Sequence, residues 1–115
     1  MKTYHGRRVA NGCTVSVDGL PLDPRTDLRQ ISTTGFEWGY MGSGPRQLAL
    51  AILADHFDDT AKAVGQYKLF CDRTIASLTG EEWRLDSEQI EVVLSSYTDV
   101  SMTLPELLNK VRGLK

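Results

Sequence analysis

Gly35-Phe36-Glu37-Trp38-Gly39-Tyr40-Met41-Gly42-Ser43-Gly44-Pro45-Arg46 joins two kinds of sequence pattern, and the join decides the fold class. Up to Tyr40 the period is two. Phe36, Trp38 and Tyr40 alternate with Glu37 and Gly39, the pattern of a strand with one aromatic face on a core. Past Arg46 the pattern changes. Leu48-Ala49-Leu50-Ala51-Ile52-Leu53 is apolar on every side, which describes a central, buried helix. Gly42-Ser43-Gly44 supplies the corner between them. Pro45 suits the first helical position, where its missing N–H costs nothing.

Working outward toward the N-terminus, residues 3–9 read as a strand. Asn11-Gly12 is a strong hairpin signal. Cys13, Val15 and Val17 then alternate with Thr14, Ser16 and Asp18, and Asp18-Gly19 ends that strand. Residues 20–30 carry Pro21 and Pro24 and read as irregular, with a short edge strand near Leu28.

Toward the C-terminus, Asp58 or Asp59 caps a helix whose stripe is Val64, Tyr67, Cys71, Ile75 and Leu78, with Phe70 at the margin. A third helix starts at Asp86. Asp86 with Gln89 forms a capping box, and Leu85 with Ile90 a hydrophobic staple. Thr103 and Glu106 mark a last short helix that Gly113 stops. Strands first and helices after argue for an α+β fold. The expected form is a small antiparallel sheet of about three strands over residues 3–40, with three to four C-terminal helices on one face. Residues 1–97 form the domain, and residues 98–115 a helical appendage.

With 115 residues, 41% of them hydrophobic, the chain fits one domain with a modest core. The net charge of -2 gives no bulk drive toward nucleic acid, so direct nucleic-acid binding is not expected. Residues 1–46 hold six of the 13 Lys/Arg and four of the 15 Asp/Glu, so the helical remainder is the acidic part. Glu81, Glu82, Asp86, Glu88 and Glu91 cluster around the start of the third helix. They read either as favourable N-terminal acids or as an acidic interaction surface. No apolar stretch approaches the roughly 20 residues that span a bilayer. Met1 to Arg8 carries no secretory pattern, so a cytosolic, reduced setting is expected for Cys13 and Cys71.

The glycine corner fails three enzyme templates. Pro45 stands where a Walker A loop needs lysine, Gln47 where a dinucleotide fingerprint needs its third glycine, and Met41 and Pro45 where a nucleophile elbow needs glycines. Asp55-His56 are neighbours on a helix and point in different directions. Arg7-Arg8 fit a charged edge strand. Neither the two histidines nor the two cysteines have metal-ligand spacing. No catalytic residue, metal or cofactor is expected.

A more general chemistry remains at the corner. Gly42, Ser43, Gly44 and Arg46 offer backbone N–H groups, a hydroxyl and a bidentate guanidinium at a helix N-terminus, and Trp38 or Tyr40 a stacking face. The first reading is a non-catalytic module for an anionic ligand, a nucleotide or nucleotide-derived signal. The second is an inhibitor or adaptor that binds a host protein through an acidic helical or aromatic surface. Oligomeric state stays open, with a homodimer among the alternatives. The plain structural reading also stands: a sharp corner with core aromatics.

Thr34 to Tyr40, Gly42 to Pro45 and Gln47 to Leu53, with Tyr4-His5-Gly6, Tyr67 and Trp83-x-Leu85, resemble an uncharacterised domain-of-unknown-function family of small proteins from bacteria, archaea, plasmids and phages. The resemblance runs to about Ile90 and transfers no catalytic residue. The distribution it implies suits a counter-defence role for a phage or mobile element.

Overall fold

The computed structural model describes residues 2–10, 12–33 and 35–100, the side chains of residues 96–100 excepted. Asn11 of the hairpin signal, Thr34 and the expected last helix over residues 103–113 lie outside the described residues, as does the appendage beyond residue 100.

The element order is β1 (Thr3–Val9), β2 (Gly12–Val17), β3 (Leu20–Pro21), α1 (Ser43–Phe57), α2 (Thr60–Arg73), a 3-10 turn (Ile75–Ser77), β4 (Glu82–Asp86) and α3 (Ser87–Val100). The strands form one antiparallel sheet in the order β3-β2-β1-β4. The α+β class therefore stands, with a four-stranded antiparallel sheet and three helices among the described residues.

Two parts of the expected sheet are corrected. Residues 36–40 form no strand. Gly39 takes a left-handed φ of +87° and sends its N–H to Ile75 O at 3.1 Å, toward the helical layer. The alternation breaks there, so Trp38 is buried and Tyr40 exposed. The real additional strand is β4, whose alternation of Trp83 and Leu85 with Glu82, Arg84 and Asp86 is hidden in sequence by the surrounding acids. The edge strand falls at Leu20–Pro21, and residues 26–28 form a turn. Asp18 (φ +50°) and Gly19 (φ +86°) supply the two-residue turn that pairs it with β2.

Register puts the apolar residues on one face. Tyr4 lies between Val17 and Leu85, and Gly6 between Val15 and Trp83. The next row holds Arg8 opposite Cys13. The other face carries His5, Arg7, Thr14, Ser16, Glu82 and Arg84. β1 is thus a central strand, so edge protection does not explain Arg7-Arg8. Gly6 is there for close approach, because a Cβ on it would lie 2.2 Å from the Trp83 indole.

Helix α1 is the centre of the core: residues 48–53 have no exposure at all. It starts at Ser43, two residues before Pro45, which still lies within the first turn where N–H groups have no helical partner. Asp58 in the left-handed region (φ +55°) ends it, and Asp59 caps α2 by accepting the Lys62 N–H at 3.1 Å. α2 buries Ala63, Tyr67, Phe70 and Cys71, so Phe70 is central rather than marginal, and Ile75 already belongs to the 3-10 turn. The capping box of α3 is formed in both directions. Gln89 N–H donates to Asp86 Oδ1 at 2.8 Å, and Asp86 N–H to Gln89 Oε1 at 2.9 Å.

The connection from Leu22 to Gly42 has neither helix nor strand among its described residues. One buried side chain holds it. Gln47 Oε1 accepts the N–H groups of Ile31 (2.8 Å) and Ser32 (3.0 Å), and its Nε2 donates to Pro24 O (2.7 Å) and Arg29 O (3.2 Å). All four hydrogen-bonding positions of the amide are used.

Candidate binding site at the glycine corner

The corner is held by one hydrogen bond to another element and by close contacts within itself. Gly39 is bonded to the 3-10 turn. The Tyr40 ring lies over Gly42, where an added Cβ would come within 2.6 Å of it. Gly44 presses on Glu37, whose Cβ would be 2.8 Å from a Cβ there. A side chain at Gly44 would press on the Cβ and backbone of Glu37, whereas one at Gly42 would displace the exposed Tyr40 ring.

The sequence-predicted residues divide between interior and surface. Trp38 is 1% exposed. Its ring meets Trp83 edge to face at 5.6 Å, its Nε1 donates to Gly80 O at 3.1 Å, and the Arg8 guanidinium covers it at 4.6 Å. Tyr40 and Met41 are 51% and 62% exposed. Gly42 is half-buried, Ser43 exposed and Gly44 buried. The N-terminus of α1 has no side-chain cap and no acid in its first turn. The Arg46 N–H is not free, since it donates to Gly42 O at 3.1 Å. The Arg46 side chain is half-buried, and its Nε is buried without a hydrogen-bond partner.

Beside the corner lies a polar cluster that the sequence did not announce. Arg8 donates to Glu37 Oε1 at 2.6 Å and to Trp38 O at 3.3 Å. The Cys13 thiol donates to Glu37 Oε2 at 3.3 Å, and the Trp38 N–H approaches Oε1 at 3.3 Å. Burial raises the Glu37 pKa, but the hydrogen bonds from Arg8, Cys13 and Trp38 together outweigh it, and the net position is below the ordinary value. Burial first, then the bond to Glu37, pushes the Cys13 thiol up to about 11. A thiol held protonated in this way is a poor nucleophile at neutral pH.

The remaining candidates are dispersed. Asp55 accepts from Tyr4 and Lys2, whereas His56 pairs with Glu91. His5 pairs with Glu82. The acidic run is split as well: Glu82 serves His5, Glu91 serves His56, Asp86 caps α3, and Glu88 is exposed. Among the described residues no three His, Cys, Asp or Glu side chains are grouped to hold a metal ion, and no helix is long and apolar enough to cross a membrane. Sequence reasoning missed Met41 as an exposed residue beside Tyr40. Its place between Tyr40 and Gly42, outside any apolar stripe, was the available signal.

A small α+β domain with a partly exposed aromatic corner defines the class. A family of unknown function, DUF6166, matches residues 4–96, and the chain belongs to that family. No curated protein and no solved structure matches it.

Proposed function

We propose that the chain is a non-catalytic binding module that engages a partner protein through the Tyr40–Met41 knuckle. The observation that carries this reading is the consecutive exposure of an aromatic ring and a methionine on a corner held by Gly39, Gly42 and buried Trp38. Exposed Tyr and Met side chains are the kind that form interface anchors, Tyr by its large ring and Met by its adaptable thioether. A photo-crosslinker at position 41, in cells of the native host, should give one discrete, saturable adduct that a crosslinker at Thr14 does not. Equal labelling from both positions would remove the proposal.

A second reading has its own observation. The uncapped N-terminus of α1 and the exposed Ser43 suit an anionic ligand such as a nucleotide or nucleotide-derived signal. Gly42, Ser43, Gly44 and Arg46 would hold phosphate. Tyr40 would be the stacking face, since Trp38 is sealed on the inside. Titration with a nucleotide panel tests it: binding that is lost in Arg46→Ala supports it, and no heat with an unchanged Tm sinks it. Either reading suits a phage or mobile-element counter-defence protein, one by occupying a host protein and the other by sequestering its signal.

A further inference from the structure

A cleft of about 290 Å³ lies between the β2–β3 hairpin and α1, beside Ala51 and Asp55 in the later turns of the helix whose first turn forms the corner. Its floor is apolar, from Val17, Leu22 and Ala51. Ala51 contributes only a methyl group to that floor, in a helical run otherwise rich in Leu and Ile. The walls carry Asp23, Asp55 and Arg25.

The charges in the walls are not equivalent. Arg25 is committed, with Nε 3.0 Å from Asp27 Oδ1 and Nη2 3.1 Å from Asp27 Oδ2, the bidentate geometry of a closed pair. Asp55 Oδ2 is held from the interior by the hydroxyl of Tyr4, a residue with no exposure, at 2.6 Å, and from the rim by Lys2 Nζ at 3.1 Å. Asp55 Oδ1 has no partner among the described residues. Asp23 Oδ1 accepts the Arg25 N–H at 2.9 Å, and its Oδ2 likewise has none. Asp18 adds a further negative charge close enough to act on Tyr4. Asp55 and the exposed Asp23 thus line the cleft with one carboxylate oxygen each that no described residue donates to, while both nearby cations are already paired. Lys2 also shows that an ammonium is accepted here, since its Nζ bonds both the Asp55 carboxylate and the Asp55 carbonyl (3.3 Å).

We propose that this cleft binds a small organic cation, an ammonium or guanidinium on a short aliphatic stem, with the charged nitrogen on Asp55 Oδ1 and Asp23 Oδ2 and the stem on Val17, Leu22 and Ala51. The carboxylates select a cationic, donor-only head group, and the apolar floor selects a stem over a hydrated metal ion. This site is independent of the Tyr40–Met41 knuckle.

The test is amide chemical-shift titration of the full chain with n-butylammonium and agmatine, against n-butanol and butyrate, up to about 10 mM. The expected result is saturable shifts at Val17, Leu22, Asp23, Ala51 and Asp55 with the cations alone, weakened by added salt. Asp23→Asn keeps the Oδ1 acceptor for the Arg25 N–H but removes the charge, and should weaken binding about fivefold with the fold intact. Ala51→Leu fills the floor and should abolish binding; its spectrum reports separately whether the variant is folded. Nα-acetyl-lysine methylamide binding as tightly as the free amines would make a protein side chain the natural source of the cation, and weaker binding a free amine. No saturable shifts with either cation, or equal shifts with butyrate, would overturn the proposal.

Discussion

Trp38 and Trp83 meet edge to face, ring centroids 5.6 Å apart and planes at 86°, and this pair fastens the irregular connection to strand β4. The two indoles differ in one respect. Trp38 Nε1 donates to Gly80 O, whereas Trp83 Nε1 is buried with no partner. Replacing each by Phe therefore separates ring from N–H. Trp38→Phe leaves Gly80 O without its donor and should cost about 2–3 kcal/mol. Trp83→Phe also removes an unsatisfied donor, and should cost about 1 kcal/mol less than that. Urea unfolding of both variants checks the order, and a larger loss for Trp83→Phe would contradict it.

Gln47 should be hard to replace, since it is one of two buried polar residues among those described and uses its whole amide. Gln47→Leu leaves the Ile31 and Ser32 N–H groups and the Pro24 and Arg29 carbonyls without their partner, at a cost of about 2–4 kcal/mol. Gln47→Glu keeps the acceptor but turns a carboxylate toward two carbonyls, so it should rescue little. Hydrogen exchange at Ile31 and Ser32 is the local readout: both amides should lose protection in Gln47→Leu before the amides of α1 do.

The Arg8–Glu37–Cys13 cluster gives a pH dependence with a defined sign. The Glu37 pKa is lowered in the fold, so its contribution is present above the ordinary carboxylate value of ~4.3. It disappears as pH falls through the lowered native value. Glu37→Gln should flatten that acid limb in unfolding measured from pH 7 down to 2.

The same variant should change thiol reactivity. Without the Glu37 charge the Cys13 pKa should drop from about 11, though burial keeps it above the ordinary value. Iodoacetamide labelling of Cys13 near pH 8.5 should then rise about tenfold. Cys71, with no exposure, is the internal control and should stay unlabelled in both proteins.

Gly6→Ala tests the closest packing in the sheet. Its Cβ would overlap the Trp83 ring at 2.2–2.5 Å, so β1 and β4 must separate or the indole must turn. A loss of about 2–3 kcal/mol with altered tryptophan fluorescence is expected. Asp86→Ala, which opens the capping box of α3, should cost about 1 kcal/mol and leave the fluorescence unchanged.

Much of this fold was legible because local rules suffice where neighbours in sequence make the decision. β1, β2 and the Asp18-Gly19 turn follow from period-two alternation and turn chemistry. The caps at Asp59 and Asp86 follow from residues three positions apart. β4 carried the same alternation through Trp83 and Leu85 but was masked by its acidic surroundings. The aromatic alternation at residues 36–40 misled, because Gly39 uses its left-handed backbone to leave the extended path.

The sequence by itself determined the α+β class, the buried helix α1 and the position of the glycine corner, because periodicity and glycine chemistry act over a few residues. Only the tertiary structure decided which corner residues face solvent. Burial depends on which distant elements arrive: Trp83 and Arg8 close over Trp38, Tyr40 and Met41 stay more than half exposed, and Gln47 holds a long connection to α1 across 16 residues of chain.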